Sequence, residues 1–254
     1  MAELFLSTLD FDDVHLNLAL EEILLHAVSS GEIPPVVRVW RNPESVIMGI
    51  SRSINADLNL ENIQDDRIPI ARRASGGGTV YHDSGTVSYS FIFPWNVLGF
   101  NEDPRRIGRE TIIPFLDIII RSLRYIGLEG RSTGVSDIFI GDKKISGNAQ
   151  KRIRGAILHH GTCLLDVDIE KMTRYLKIPP ERKGIPHEGF VTSLKKMGCE
   201  INFDGFRSLL VKSLEDTGHS VGKIKLDSKK YNLMDKARDL ASTTYSRDEW
   251  IYRR

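Results

Sequence analysis

The chain has 254 residues, 41% of them hydrophobic and 27% charged, and a net charge of +1. That length suits one large domain or two small ones, and the balance is that of a globular protein, which excludes a disordered chain. A near-neutral total argues against nucleic acid as the partner, and the short basic runs (Arg105, Arg106, Arg109; Lys195, Lys196; Lys229, Lys230) read as solvated faces.

With Asp12 or Asp13 as a cap, Leu16, Leu20, Ile23, Leu24 and Ala27 recur at helical spacing and Gly31 follows as a stop, which predicts a helix over about 13–29. "VVRVW" (36–40) and "SVIMGI" (45–50) are short and β-branched, and the "RNPE" between them reads as a hairpin turn. "IPIARR" is a further strand that runs into three consecutive glycines, Gly76, Gly77 and Gly78; "GTVYH" and "TVSYSFIF" leave them as two arms around the turn "DSG". In the second arm Val87, Tyr89, Phe91 and Phe93 alternate with smaller residues, which predicts one buried face and puts the glycines at a sheet edge. From Asp103 to Gly127 the spacing turns helical, with Phe115, Ile118, Ile119, Ser122 and Ile126 on one face and Pro114 as a restart or kink. "SDIFIGDKKISGNAQKR" and "GAILHHGTCLLDV" return to strands, with "GDKK" as a tight turn. Helices follow over about 168–177 and 204–218, and the tail reads as a helix, a break and a last turn opened by the capping-box pattern Ser246-x-x-Glu249. Nothing reads as a repeat or a linker, so the expectation is a single mixed α/β domain over 1–254 with a short helical end over about 204–254.

Cys163 and Cys199 cannot form a disulfide framework, and the opening "MAELFLSTLDFDDV" lacks the basic start and apolar run of a secretory signal. "IIPFLDIII" is broken by Pro114 and Asp117, well short of the ~20 residues that cross a bilayer. The expected setting is the cytoplasm, with no membrane partner.

Three patches carry unusual chemistry: "RRASGGGTVYHD", "SDIFIGDKKISGNAQ" and "LHHGT". Glycines at a strand edge expose successive backbone N–H groups, a concavity suited to phosphate or carboxylate, and Arg73 adds a fixed charge; the alternative is a glycine-rich bulge beside a surface arginine. The triplet is neither a P-loop nor a dinucleotide fingerprint. Lys144 precedes Ile-Ser-Gly, small residues that leave room for a substrate whose developing charge a lysine could stabilise, although a lysine in "DKK" also suits a solvated turn. His159 and His160 face opposite ways on a strand and do not make a metal pair, and the seven histidines and two cysteines show no zinc spacing. His82 and His160 read equally as structural hydrogen-bond partners and as site residues. No G-x-S-x-G elbow is present for a serine hydrolase.

In this order, with "NLALEEILL" and "VVRVWRNPESVIMG" before them and "HHGTCLLDVD" after, these patches resemble the lipoate-protein ligase A family, within the biotin and lipoate protein ligases. The likeness covers about residues 10–180, and the tail "ARDLASTTYSRDEW" is similar to the closing segment of small single-domain members. The resemblance implies an α/β (α+β) fold, a mixed sheet flanked by helices, shared with biotin ligase and class II aminoacyl-tRNA synthetase catalytic domains. It implies that Arg73, Gly76, Gly77, Gly78, Thr79, Val80 and Tyr81 contact ATP or the adenylate. By the same resemblance Lys144 touches the acyl carbonyl and the α-phosphate, and Asp137 faces the adenylate and offers a position for Mg2+. Lipoate would meet His82, Lys144, Gly147 and His160. The implied reaction is ATP-dependent formation of lipoyl-adenylate and transfer to a lysine of a lipoyl-domain acceptor, such as a 2-oxoacid dehydrogenase acyltransferase subunit or glycine cleavage H protein. Larger members carry a C-terminal accessory domain; here only about fifty residues follow Phe203, so a separate accessory-domain protein is an expected partner. The alternative is an octanoyl or lipoyl transferase of the same fold, working without ATP through a cysteine thioester. That branch keeps its cysteine before the "SG" motif, where "GLEGRSTGVSD" has none, and Cys163 lies after it on what reads as a buried strand.

Overall fold

The computed structural model describes residues 3–98, 109–133, 136–226 and 231–253. Arg105, Arg106, Lys229, Lys230 and the start of the helix expected from Asp103 lie outside the described residues. The first half of the chain forms β1 (Glu3–Ser7), α1 (Val14–Ser29), β2 (Val36–Trp40), β3 (Ser45–Met48), α2 (Ile54–Asp57), α3 (Leu60–Asp65), β4 (Ile70–Arg72), β5 (Val80–His82) and β6 (Thr86–Pro94). Then come α4 (Ile113–Arg124), β7 (Gly130–Thr133), β8 (Asp137–Ile140), β9 (Lys143–Ile153), β10 (Ala156–Leu164), α5 (Ile169–Tyr175) and α6 (His187–Phe190). The last are α7 (Phe203–Asp216), β11 (Ser220–Lys223), α8 (Leu233–Leu240) and α9 (Asp248–Ile251).

Eight strands make a mixed sheet in the order β11-β1-β2-β6-β10-β9-β8-β7, parallel only where β1 meets β11 and β2. A second sheet has the order β4-β3-β5. The fold is therefore the mixed α/β type expected. Asp13 caps α1 by accepting from His15 N (2.8 Å) and Leu16 N (3.2 Å), and Gly31 (φ +74°) lets the chain turn away after it. The hairpin β8–β9 turns at Gly141–Asp142 as expected, with Gly141 at φ +56°.

Several expectations change. β2 and β3 are not a hairpin. β2 has both hydrogen-bonding edges taken by β1 and β6, and all five of its residues are buried, so "VVRVW" is a central strand. At Arg41, whose N–H donates to Asp10 (3.0 Å), the chain leaves that sheet, and β3 joins β4 and β5. β5 and β6 likewise part into different sheets at "DSG". Asp83 holds that corner by accepting from Gly85 N (3.0 Å), Thr86 Oγ1 (3.1 Å) and Asp168 N (2.7 Å), and a Cβ on Gly85 would overlap the Asp166 carbonyl. Of the restart or kink expected at Pro114 the restart is what forms: it sits in the first turn of α4, where its missing N–H costs nothing. The capping box is not formed: Ser246 Oγ turns back to the Ser242 carbonyl (3.5 Å) and α9 starts after Arg247.

β6 is buried on both faces rather than one. Val87, Tyr89, Phe91 and Phe93 face the main core with α4 and α7, where Phe91 stacks on Phe115 at 5.3 Å. Each such fully buried phenylalanine contributes about 1.5–3 kcal/mol relative to exposure. The opposite face presents Ser88 and Ser90, and this small-residue face is where the site lies.

Candidate active site

Sheet register builds the floor. Trp40 (β2), Ser88 (β6), Thr162 (β10), Gly147 (β9) and Asp137 (β8) stand opposite one another in a row across the strands. Two residues along, Arg38, Ser90, His160 and Ala149 form a second row on the same face. Serine, threonine, glycine and alanine leave the face low, and a cleft of about 430 Å³ opens above it, within the range of small-molecule sites. α1 borders it with Leu18 and Glu21, the smaller sheet with the glycine loop, and the chain from Leu176 to Phe190 with Arg182 and His187. Strands lie about 4.8 Å apart, so the three steps from Gly147 to Trp40 span roughly 14 Å.

The glycine loop joins β4 and β5, the two edges of the smaller sheet. Arg73 is buried and its donors are spent on shaping this loop: Nη2 donates to the carbonyls of Gly76 (2.6 Å) and Gly78 (2.8 Å), Nη1 to Ile47 O (3.3 Å) and Nε to Ser75 Oγ (3.0 Å). Burial brings its pKa down to about 10, partly opposed by Glu21, so it stays charged at neutral pH. Gly77 adopts φ +87°, and a Cβ there would lie 2.9 Å from the Arg73 guanidinium. Gly78 faces open space, which leaves its backbone accessible from the cleft.

From Arg73 a buried chain of hydrogen bonds crosses beneath the cleft. His160 Nδ1 is 3.0 Å from both Glu21 oxygens and Nε2 is 2.6 Å from Ser75 Oγ. Burial pushes the Glu21 carboxyl up, but His160, Arg38 and Ser90 outweigh it and hold the group below its ordinary pKa. A carboxylate can only accept, so His160 donates from Nδ1 to Glu21 and its Nε2 pairs with the Ser75 hydroxyl. The apolar wall is tied in as well: Trp40 Nε1 donates to Ser90 Oγ (2.9 Å), which donates to Glu21 (2.6 Å).

At the other end of the floor Lys144 Nζ lies 2.9 Å from Asp137 Oδ1, both side chains partly exposed. A Cβ on Gly147 would sit 2.8 Å from that ammonium, so the glycine is what lets the lysine lie over the floor. The Lys144 carbonyl accepts from Thr192 N (2.9 Å), which fixes the strand under it.

Residues 13–215 match the family model of the lipoyl protein ligase A/B catalytic domain. The chain belongs to this family. It is 31% identical over 222 residues, 84% of its length, to the lipoate-protein ligase A of Bdellovibrio bacteriovorus, of which it spans 61%. A lipoate-protein ligase A structure bound with ATP matches with a TM-score of 0.83 and 26% identity, over 98% of each chain. An archaeal structure from Thermoplasma acidophilum, described as a bi-partite lipoate protein ligase with its E2 lipoyl domain, matches with a TM-score of 0.85 and 25% identity, over 99% of this chain and 97% of that one.

Within this ligase family frame, the structure gathers Arg73, Gly77, Gly78, Thr79, Val80, His82, Asp137, Lys144, Gly147 and His160 around one cleft. It does not bring Gly76 or Tyr81 there. Gly76 turns its carbonyl to Arg73, and Tyr81 points to the opposite side, donating to Glu44 (2.6 Å) and packing on Tyr175. His160 enters the cleft while His159 stacks on Phe115 beneath the sheet, the opposite orientations expected of strand neighbours.

Sequence reading missed Glu21, Asn42, Arg52, Asp57, Arg182 and His187, which also border the cleft. Glu21 had a signal: with Asn17 it forms a polar i,i+4 pair inside the apolar stripe of α1, and both are buried. Asp57 binds the Arg52 guanidinium and accepts the Thr79 hydroxyl. His82 is bonded through Nδ1 to Asn42 (3.2 Å). Burial, then the nearby Arg73, lower its pKa to about 3. Its Nε2 and Ser88 Oγ are buried with no hydrogen-bond partner in the protein, and both residues border the cleft.

Proposed function

We propose that the chain activates lipoate with ATP to lipoyl-adenylate and passes the lipoyl group to a lysine of a lipoyl-domain acceptor protein. The observation that carries this reading is the floor itself: an ammonium, Lys144, at one end of a run of small side chains that ends roughly 14 Å away at Trp40. An eight-carbon acid with its carboxylate at Lys144 fits along that run. The glycine loop, opening its backbone beside it, suits the phosphates. The ATP-bound ligase among its structural neighbours supports the nucleotide.

In the first step a carboxylate oxygen attacks the α-phosphorus, the bond to the β-phosphate oxygen breaks and pyrophosphate leaves. In the second, the acceptor amine attacks the acyl carbon, the carbon–oxygen bond to AMP breaks, and the amine proton passes to Asp137, the carboxylate beside Lys144. Both steps gather negative charge at oxygens beside Lys144. For magnesium, no cluster of three or more His, Cys, Asp or Glu side chains among the described residues offers an all-protein site. Asp137 is one of the carboxylates at the cleft, the kind of ligand that magnesium combines with substrate phosphates, and the ion there would neutralise phosphate charge.

The thioester alternative is not favoured. Cys163 is fully buried, and since Thr162 faces the cleft, Cys163 faces the core; burial pushes its thiol pKa up, away from a reactive thiolate. The test is incubation with lipoate, labelled ATP and a purified apo lipoyl domain, scoring adenylate and lipoyl-protein separately. Adenylate is expected from this chain alone, and lipoyl-protein slowly unless a separate accessory protein is added. No adenylate, together with ATP-independent transfer from octanoyl carrier protein, would refute the reading.

A further inference from the structure

The segment from α8 through α9 packs behind one wall of the cleft, and two sets of contacts run from it toward the glycine loop. The first is polar. Arg72, at the end of β4, is fully buried. Its Nε donates to the Ile251 carbonyl in α9 (2.8 Å), and Nη1 reaches the carbonyls of Gly49 (2.9 Å), Ile50 (3.3 Å) and Arg52 (2.8 Å). Trp250 Nε1 donates back to the Arg72 carbonyl (2.8 Å). One guanidinium thus bridges α9 to the turn 49–52.

That turn supports the site directly. Arg52 grips Asp57, which holds the Thr79 hydroxyl. Ile50 N donates to Ser75 O (2.8 Å), and Gly49 lies so close to the Gly77 carbonyl that a Cβ would overlap it. Arg52, Asp57, Gly77 and Thr79 all border the cleft. The second set is apolar: Ala241, Tyr245 and Trp250 share one packed cluster with Trp40, Ile47 and Val80, whose other sides line the cleft.

We propose that this segment sets the nucleotide half of the cleft from behind, with Arg72 as the positioning residue. By holding Ile251 and the 49–52 turn at a fixed separation, Arg72 places Arg52, Thr79 and the glycine loop for the phosphates. The inference rests on reading the cleft as an ATP site. Arginine is required because its planar fork serves several carbonyls in fixed directions, whereas a lysine ammonium is a single point on a flexible stem. In a fully buried position no water replaces the lost bonds, so the turn is left with unpaired carbonyls and shifts. A displacement of about 1 Å in a site can cost on the order of a hundredfold in rate.

The test uses the full chain with Arg72→Lys and, separately, Trp250→Phe, which keeps the arginine and removes only the indole N–H and some ring area. Michaelis constants for ATP and for lipoate are measured in adenylate formation, and amide hydrogen exchange across 49–52 is measured without ligand. For Arg72→Lys the ATP constant is expected to rise about tenfold or more while the lipoate constant stays within about twofold. Trp250→Phe shows the same selectivity at roughly two- to threefold, and both variants exchange faster at Ile50 and Arg52. If Arg72→Lys fails to fold, Trp250→Phe decides alone. A folded variant whose two constants move together, or not at all, overturns the proposal. Should the wild type make no adenylate, the ATP reading fails instead, and exchange at 49–52 still judges the bridge: unchanged protection in Trp250→Phe overturns it, faster exchange upholds it.

Discussion

Lys144 holds its charge over the cleft floor because residue 147 is a glycine and Asp137 stands across the strand pair. Losing the ammonium removes a donor aimed at developing negative charge, worth about 3–4 kcal/mol by comparison with single oxyanion-hole donors. Lys144→Ala should therefore slow adenylate formation about 10²–10³-fold with an unchanged melting curve. Gly147→Ala should also slow it, since the new Cβ displaces the flexible lysine tip rather than the backbone. Single-turnover assays with labelled ATP check both, and near-normal rates would show Lys144 to be a solvated turn charge. His82 makes a pH prediction. Its pKa is about 3 in the fold, below the ordinary 6.5, so the folded state binds fewer protons than the unfolded chain. Stability is then full above pH 6.5 and falls as pH drops toward 3. The loss from this one group is about 2 kcal/mol between pH 7 and 5. Urea unfolding at the two pH values should show it, and His82→Gln should lose less on acidification than the wild type.

At the scale of elements, the glycine loop separates fit from ligand space. Gly49 and Gly78 look alike in the sequence, yet a Cβ on Gly49 overlaps the Gly77 carbonyl while one on Gly78 meets nothing within 4 Å. Gly49→Ala should therefore cost about 1–3 kcal/mol of stability, because backbone must move. Gly78→Val should fold normally and bind an adenylate analogue weakly, because its side chain occupies the cleft. Calorimetric titration beside thermal melts distinguishes them; equal affinity for Gly78→Val and wild type would mean that the loop does not touch the nucleotide. Two expected hairpins dissolved for a related reason. "RNPE" and "DSG" are good local turns, but a turn does not say whether the strands leaving it pair with each other, and here each pair divides between two sheets.

For the whole molecule, the archaeal neighbour described as bi-partite matches this chain almost end to end. If, as we propose, a separate accessory protein also serves this chain, acyl transfer to an apo acceptor is expected to be slow with this chain alone and to rise when that protein is added. Lipoylation scored by mass spectrometry, with and without that protein, checks this; full modification at the same rate in its absence would count against it. Among the described residues no helix is long and apolar enough to cross a membrane.

Local signals were enough for the helix over α1, the strands β8 to β10, and the alternation of small and aromatic residues in β6, because each depends on the period of side chains along one element. They also drew attention to Lys144 and the glycine triplet, whose neighbours in the sequence are unusual, but left His160 open between a structural hydrogen bond and a site role. Tertiary structure alone decided that Glu21, Asn42 and Asp57 join the same cleft, that Tyr81 turns away from it, and that Arg72 and Arg73, adjacent in the chain, do different work. Arg73 folds back on its own loop, whereas Arg72 reaches α9, 179 residues further on. Which carbonyl a guanidinium meets depends on how the sheets and α9 pack, and no pattern within a few residues of it carries that information.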